Sequence, residues 1–387
     1  MSKSPLFGRR IHIAGSIIED STIAKSEDVI QARDFIELLV KELLSKGANF
    51  VLPVDAEKMR QVDGLPICFD WLIWKTIYEN LHSRPSGAFN PLVVAVQHHK
   101  NEEQIPEQFI ELWDKLRVSD LVKIENAAHW NMNSKRMEVQ ARHGDILLTL
   151  GGGEGVLFLA NLYHDAGKPV IPLKFKLGEK QTGSLKLFDY GSINTHTQRL
   201  FQTEDAKPHD WINRINFADR TNNSDRVKTI INLLEALEPP KAFAVRLLDP
   251  NHEDYNDVQN FFDTVVKHIV EIEMGYKLLI IDGKQTYEQP SIDREIFTKL
   301  HRSSLVIADI TGLRPNCFIE LGYALGRGLP IMLLGKEGTQ HPFDIASFSA
   351  HHWKTTGDAD ERRRAFREHY QAIRNRPPLV PVEPLIP

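Results

Sequence analysis

The chain has 387 residues, 42% of them hydrophobic and 26% charged, with a formal net charge of -5. That length is too great for one ordinary α/β domain and comfortable for two, and the composition is that of a soluble globular protein. No long basic run appears, so nucleic acid is not an expected partner. The start Met1–Pro5 lacks an apolar signal core and no stretch approaches a membrane span, so a cytoplasmic protein without membrane contact is expected. The two cysteines, Cys68 and Cys317, form neither a metal spacing nor a disulfide framework. Sixteen histidines include the pairs His98-His99 and His351-His352. Adjacent side chains diverge on regular elements, so no metal site is expected.

In chain order, a strand over Arg10–Ala14 runs into Gly15-Ser16. A periodic helix follows, with Ile30, Phe35, Leu38, Leu39, Leu43 and Leu44 as its apolar stripe, and stops near Gly47. Asn49–Pro53 reads as a strand and Asp70–Leu81 as a helix burying Trp71, Trp74 and Ile77. Leu92–Val96 is a continuous apolar run suited to a central parallel strand. Asp145–Leu150, the turn Gly151-Gly152-Gly153-Glu154-Gly155, a helix from Val156 to about Ala166 and Pro169–Leu173 then form a β-α-β unit. Trp130 and the other tryptophans carry no decisive signal.

From about Gly178 to Asp225 turn formers and polar residues show no sustained pattern. Asp225–Leu237 reads as a helix closed by Glu238-Pro239-Pro240, since a Pro-Pro pair cannot continue one. A second unit opens with the strand Ala242–Leu248, then a helix over Tyr255–Glu273, a strand over Lys277–Ile281 and a short helix over Ile292–Leu300. A buried strand ending in Asp309, a turn through Thr311-Gly312, a helix from about Asn316 and a strand over Pro330–Leu334 follow. Glu361–Arg374 makes a last helix, and the Pro-rich tail after Arg376 is extended. The expected fold is α/β with two Rossmann-like domains, the second a five-stranded flavodoxin-like sheet. The expected organisation is a nucleotide-sensing domain over 1–205, a helical connector over 206–240 and a catalytic domain over 241–387.

Three successive glycines before a helix let backbone N–H groups approach an anion, and the helix N-terminus adds partial positive charge. Gly15 and Ser16 supply a second contact on the same rim, with Lys174 and Lys176 as candidate phosphate counter-charges. A tight strand-to-helix turn alone is the plainer reading of the same glycines. In the second unit, Asp309 and Glu320 fall at the rim where a parallel sheet opens onto its ligand crevice. Cleavage of an N-glycosidic bond passes through an oxocarbenium-like state, which a carboxylate beneath C1′ stabilises or attacks. A second acid can hold the sugar hydroxyls or move a proton. Glu320 suits the first role, with Asn316 as the N-cap of its helix, and Asp309 the second. Arg246 is a candidate phosphate ligand, Asp293 a weaker candidate, and Tyr255, Tyr323, His341 and Phe343 could border a base. A first-turn glutamate and a turn-forming aspartate are the structural alternatives.

The segments Ile13-Ala-Gly-Ser16, Leu150-Gly-Gly-Gly-Glu-Gly155 and Ala166-Gly-Lys-Pro-Val-Ile-Pro172 resemble the SLOG superfamily, relatives of the lysine-decarboxylase-like phosphoribohydrolases. They look closest to the branch beside Sir2 and TIR domains in bacterial antiviral systems, which implies binding of an ADP-ribose-type signal at the glycine turns. The catalytic relatives carry a threonine after the last glycine and a glutamate beyond it. Val156 and Asn161 stand in that region here, so the resemblance implies sensing rather than hydrolysis. Ala308-Asp-Ile-Thr-Gly312 and Arg314-Pro-Asn-Cys-Phe-Ile-Glu-Leu-Gly-Tyr-Ala324 resemble nucleoside 2-deoxyribosyltransferases and their TIR-like relatives. This resemblance implies Glu320 as nucleophile. Arg314 replaces an aspartate of the true transferases and fits a phosphorylated ribosyl substrate such as NAD.

The expected function is a signal-activated N-glycosidase of an antiviral effector, consuming NAD as substrate without a cofactor and assembling as a homo-oligomer. A base-exchanging salvage transferase and a nucleotide-binding module without catalysis are the alternatives.

Overall fold

In the computed structural model of the chain, residues 4–97, 103–127, 132–205, 207–281, 292–374 and 376 are described. His98-His99, Trp130 and the tail beyond Arg376 lie outside them. The chain divides into two compact units after Glu238.

The first unit holds six strands: β1 (Arg10–Ser16), β2 (Asn49–Pro53), β3 (Val93–Gln97), β4 (Val122–Asn126), β5 (Ile146–Gly151) and β6 (Val170–Leu173). They form one sheet in the order β4-β3-β2-β1-β5-β6, every pair parallel. Chain order reverses between β1 and β5, and the crevice beyond their carboxyl ends is where such sheets bind ligands. β2, β3 and β5 are buried from end to end, which is why they read as unbroken apolar runs.

Helix α1 (Ser26–Ser45) buries Val29, Ala32, Phe35, Ile36, Leu39, Val40, Leu43 and Leu44, while Ile30 and Leu38 face outward. The stripe is therefore turned from the expected one, because α1 is covered on two sides. One of its covers is α9 (Asn223–Ala236), which enters the same core through Val227, Ile230, Ile231, Leu233 and Leu234. This corrects the connector expected over 206–240: its apolar residues complete the core of the first unit. The Asn222 side chain accepts the Asp225 N–H at 2.8 Å and starts α9. Three further helices, α6 (Gly183–Tyr190), α7 (Asn194–Phe201) and α8 (His209–Arg214), occupy the stretch where no pattern is visible. Helices of 6 to 8 residues are too short to display a period.

The second unit has β7 (Lys241–Val245), β8 (Lys277–Leu279), β9 (Leu305–Asp309), β10 (Ile331–Lys336) and β11 (Ala350–Trp353). Their order, β11-β10-β9-β7-β8, is all parallel and reverses between β7 and β9, the flavodoxin-like arrangement. On one face, α10 (Tyr255–Phe261) continues as π-helical turns over Phe262–Val266 and His268–Glu273. Together with α13 (Ala359–Arg374) it covers Ile307, Met332 and Leu334. On the other face, α11 (Ile292–His301) and α12 (Pro315–Gly326) pack on Phe243, Val306 and Leu333. β11 has no counterpart in the sequence reading. Its His-His-Trp sequence lacks the apolar run that marks the other strands.

Candidate functional site

In the first unit the glycine turn is assembled by strand register: Gly15 pairs with Leu150 and Ser16 with Gly151. Gly151 and Gly152 hold φ of +59° and +75°, and the Gly152 N–H donates to Ser16 O at 2.7 Å. Gly183, at φ +54°, lies so close that an added Cβ would stand 2.1 Å from Gly152 O. These glycines are thus needed for backbone packing. Gly153, at the N-cap of α5 (Glu154–Asp165), faces open space, and Glu154 and Gly155 are exposed in the first turn. Lys174 and Lys176 are exposed, their ammonium groups engaged by Asn216 at 3.2 Å and Asp219 at 3.3 Å.

The sequence reading missed the charged groups of this unit's carboxyl-end loops. Asp55 and Glu57 follow β2, and Asp70 opens α2 (Asp70–Glu79). Ser16 bridges to Cys68, which folds the 54–70 loop against the end of β1. Arg136, on α4 (Met132–His143), pairs with Asp55, and Gln108 donates to Glu57 at 3.2 Å. Lys168 donates to Ala141 O at 2.7 Å and Arg142 O at 3.0 Å, satisfying carbonyls in the last turn of α4 and fixing that helix. Burial raises the Asp70 carboxyl to about 7; Arg136 opposes the shift, while Asp55 and Glu57 add to it. Burial also lifts Glu57, against the pull of Arg33. Acids directly after an apolar strand and at the start of a buried helix were the available signal. No spacing motif joins them, because they meet only through the loop and α4.

In the second unit, Asp309 ends β9 with no solvent exposure. Its Oδ1 accepts the Thr311 N–H at 2.9 Å and its Oδ2 the Trp353 indole N–H at 2.6 Å. Trp353 is itself stacked on Phe261, with ring centroids 4.6 Å apart. Thr311 Oγ1 accepts the Lys336 N–H at 2.9 Å, and the Lys336 ammonium bonds Asp254 and Asp257, both at 2.6 Å. Burial raises the Asp309 carboxyl, countered by these hydrogen bonds and by Arg246. Asp309 is therefore a strut that holds the turn before α12, with both oxygens occupied inside the fold, and not a side chain open to a sugar.

That turn sets the start of α12. Arg314 is extended at the N-cap and Pro315 occupies the first helical position, where its fixed φ favours a helix start. This corrects the expected cap: Asn316 lies inside the first turn and is exposed. Cys317, Leu321 and Ala324 form the buried face, and Glu320 borders it half-buried, one turn after Cys317. Burial alone raises Glu320 to about 7, and it has no hydrogen-bond partner among the described residues. Cys317 is pushed to about 12 by burial and then by the charges of Glu320 and Asp309. Cys68 is likewise lifted to about 12, so neither thiol is a nucleophile at neutral pH.

Other candidates are placed differently from the reading. Arg246 is buried: it donates to Gln259 at 2.8 Å, and its guanidinium lies 5.0 Å from the Phe262 ring centroid. Tyr323 packs edge-on against Phe297, and its hydroxyl bonds Nδ1 of His301 at 2.7 Å, at the last residue of α11. Asp293 is exposed in the first turn of α11. Phe343 is almost wholly exposed, and the His341 ring lies tilted against His352, centroids 4.9 Å apart. Among the described residues no group of three or more His, Cys, Asp or Glu is placed to hold a metal ion, and no helix is long and apolar enough to cross a membrane.

Residues 6–234 match the family model described as ATP nucleosidase Cap17-like, N-terminal. No curated protein matches the chain. A solved structural-genomics target, TM1055, is 16% identical over 44% of this chain and 76% of its own, with a TM-score of 0.28. The molybdenum cofactor carrier protein of Chlamydomonas reinhardtii is 11% identical over 59% of this chain and 98% of its own, with a TM-score of 0.31.

Proposed function

The chain belongs, through its first unit, to the family of Cap17-like ATP nucleosidases, and from that premise we propose that it is a nucleotide N-glycosidase whose nucleophile is Glu320. The observation that carries this reading is the Glu320 carboxyl: half-buried, without a partner among the described residues, and raised to about 7 by burial alone. Perturbed, unpartnered acids are a mark of functional sites. A carboxylate partly stripped of water is raised in free energy until a positive charge forms beside it, and glycosidic cleavage supplies that charge at C1′. The bond from C1′ to the base nitrogen breaks and its electron pair leaves with the base. Glu320 shields C1′, or bonds it until water displaces the carboxylate; water adds at C1′, and its proton goes to the departed base or to solvent. Asp309 acts through the turn it braces. As the chemistry needs the ionised carboxylate, the rate rises with pH through about 7.

The substrate is a nucleotide, with ATP and NAD as the two to test. The first unit, SLOG-like in its glycine turns, binds a regulatory nucleotide of the ADP-ribose type at the crevice beside Gly153 and Arg136, on the pattern of an antiviral effector that works as a homo-oligomer. Its ligand acts by favouring one assembly over another. The C-terminal likeness to deoxyribosyltransferases and TIR-like domains supports placing the chemistry in the second unit.

A second reading is favoured by Asp70, also raised to about 7, and by the family match falling on residues 6–234. It places the cleavage in the first unit. Purified full-length protein incubated with ATP and with NAD, with and without ADP-ribose, is assayed by chromatography for adenine and nicotinamide. Glu320→Gln abolishes base release on the first reading, and Asp70→Asn abolishes it on the second. No release from either substrate under any condition overturns both.

A further inference from the structure

Arg314 stands six residues before Glu320 and pairs with an aspartate of a neighbouring loop. Its Nη1 donates to Asp249 Oδ2 at 3.2 Å. Asp249 lies in the loop leaving β7 and Arg314 in the loop leaving β9, and these neighbouring strands flank the point where the sheet order reverses. The pair therefore spans the place where a ligand enters.

Three features make this contact exchangeable. Both side chains are about two-fifths exposed, at 40% and 39%, and exposed ion pairs contribute little to stability. Only one guanidinium nitrogen is recorded on Asp249, whereas the group carries five N–H donors in a fork suited to phosphate. Asp249 is also held without Arg314, since its Oδ1 accepts the Asn251 N–H at 3.1 Å. The arginine can swing away without releasing the loop.

We propose that Arg314 leaves Asp249 for a phosphate of the substrate, so that this pair makes the site select phosphorylated nucleosides over free ones. Asp249 is the internal anion that the phosphate displaces. This inference rests on the assignment of Glu320 and deepens it by naming the pair that selects the phosphorylated substrate. The arginine lies at the N-cap of α12, so a phosphate drawn to it also meets the positive end of the helix that carries Glu320.

The test compares ATP with adenosine, which share the base and the glycosidic bond and differ only in phosphate. Arg314→Ala lowers kcat/KM for ATP by roughly 10- to 100-fold, the loss expected for charge-assisted hydrogen bonds, and changes that for adenosine less than about twofold. Asp249→Asn lowers KM for ATP and leaves adenosine unchanged. An equal fall for both substrates in Arg314→Ala, or weaker ATP use in Asp249→Asn, overturns the proposal. Should adenosine not be turned over, equilibrium dialysis of the Glu320→Gln chain decides. There Arg314→Ala must weaken one class of ATP site about tenfold, and unchanged ATP binding overturns the proposal. Turnover by Glu320→Gln sinks the nucleophile assignment. An unaltered ATP-to-adenosine ratio in Arg314→Ala, with Glu320→Gln inactive, sinks only the role of the arginine.

Discussion

The two units use the same kind of sheet and the same kind of crevice, and burial raises one carboxyl in each, yet the two acids keep different company. Burial raises Asp70 to about 7 amid charges of both signs, Arg136 opposing the shift and Asp55 and Glu57 adding to it. Glu320 is raised to about 7 by burial alone. A network of opposing charges suits holding a polar ligand, because each group is partly compensated whether or not the ligand is present. An isolated desolvated acid suits a reaction that generates a cation, because only the transition state compensates it. That difference underlies the proposal that the chemistry lies in the second unit and recognition in the first.

The comparison can be broken most severely in the first unit. Gly183→Ala puts a Cβ 2.1 Å from a backbone oxygen at φ +54°, so the glycine turn must deform. Unfolding of the first unit by denaturant should shift by about 3 kcal/mol or more, with the second unit's transition unmoved. Retention of wild-type stability would mean that the close packing around Gly152 is not needed.

Trp353→Phe makes the matching cut in the second unit. It leaves the fully buried Asp309 without its indole donor, which costs about 1–3 kcal/mol. Thermal unfolding checks the loss, and a fall in activity larger than the loss of folded protein would locate the strut's effect at α12.

The smallest effect sharpens the contrast. The proton on Glu320 is bound more tightly in the folded chain than in the unfolded one, where the ordinary value is 4.5. Stability from this group is complete below about 4.5 and falls as pH rises through about 7. Glu320→Gln therefore stabilises the second unit at pH 8 but not at pH 4, by about 1–2 kcal/mol after discounting for partial exposure. Denaturant midpoints at the two pH values measure it, and a destabilised variant at pH 8 would show that Glu320 has a partner.

Much of this architecture is visible in the sequence for a simple reason. Fully buried parallel strands such as Leu92–Val96 and Leu305–Asp309 announce themselves by composition, and Pro239-Pro240 marks where one unit ends. The motif around Glu320 is visible in the sequence, as are the strand and helix that carry it. Its surroundings are not, because they depend on contacts distant in sequence. Trp353 meets Asp309 from 44 residues away, and Arg136 meets Asp55 from 81 residues away. Neither separation leaves a local pattern. Asn316 shows the complementary failure: a good capping residue was overruled by Pro315, whose ring fixes the first helical position and leaves the cap to Arg314, two positions earlier.

The most direct test sets Glu320→Gln beside Asp70→Asn and wild type, and follows base release from ATP and NAD under one set of conditions. The account predicts release by wild type, a loss of about a thousandfold or more in Glu320→Gln, and a far smaller loss in Asp70→Asn. Full release by Glu320→Gln together with an inactive Asp70→Asn would contradict it and move the chemistry to the first unit.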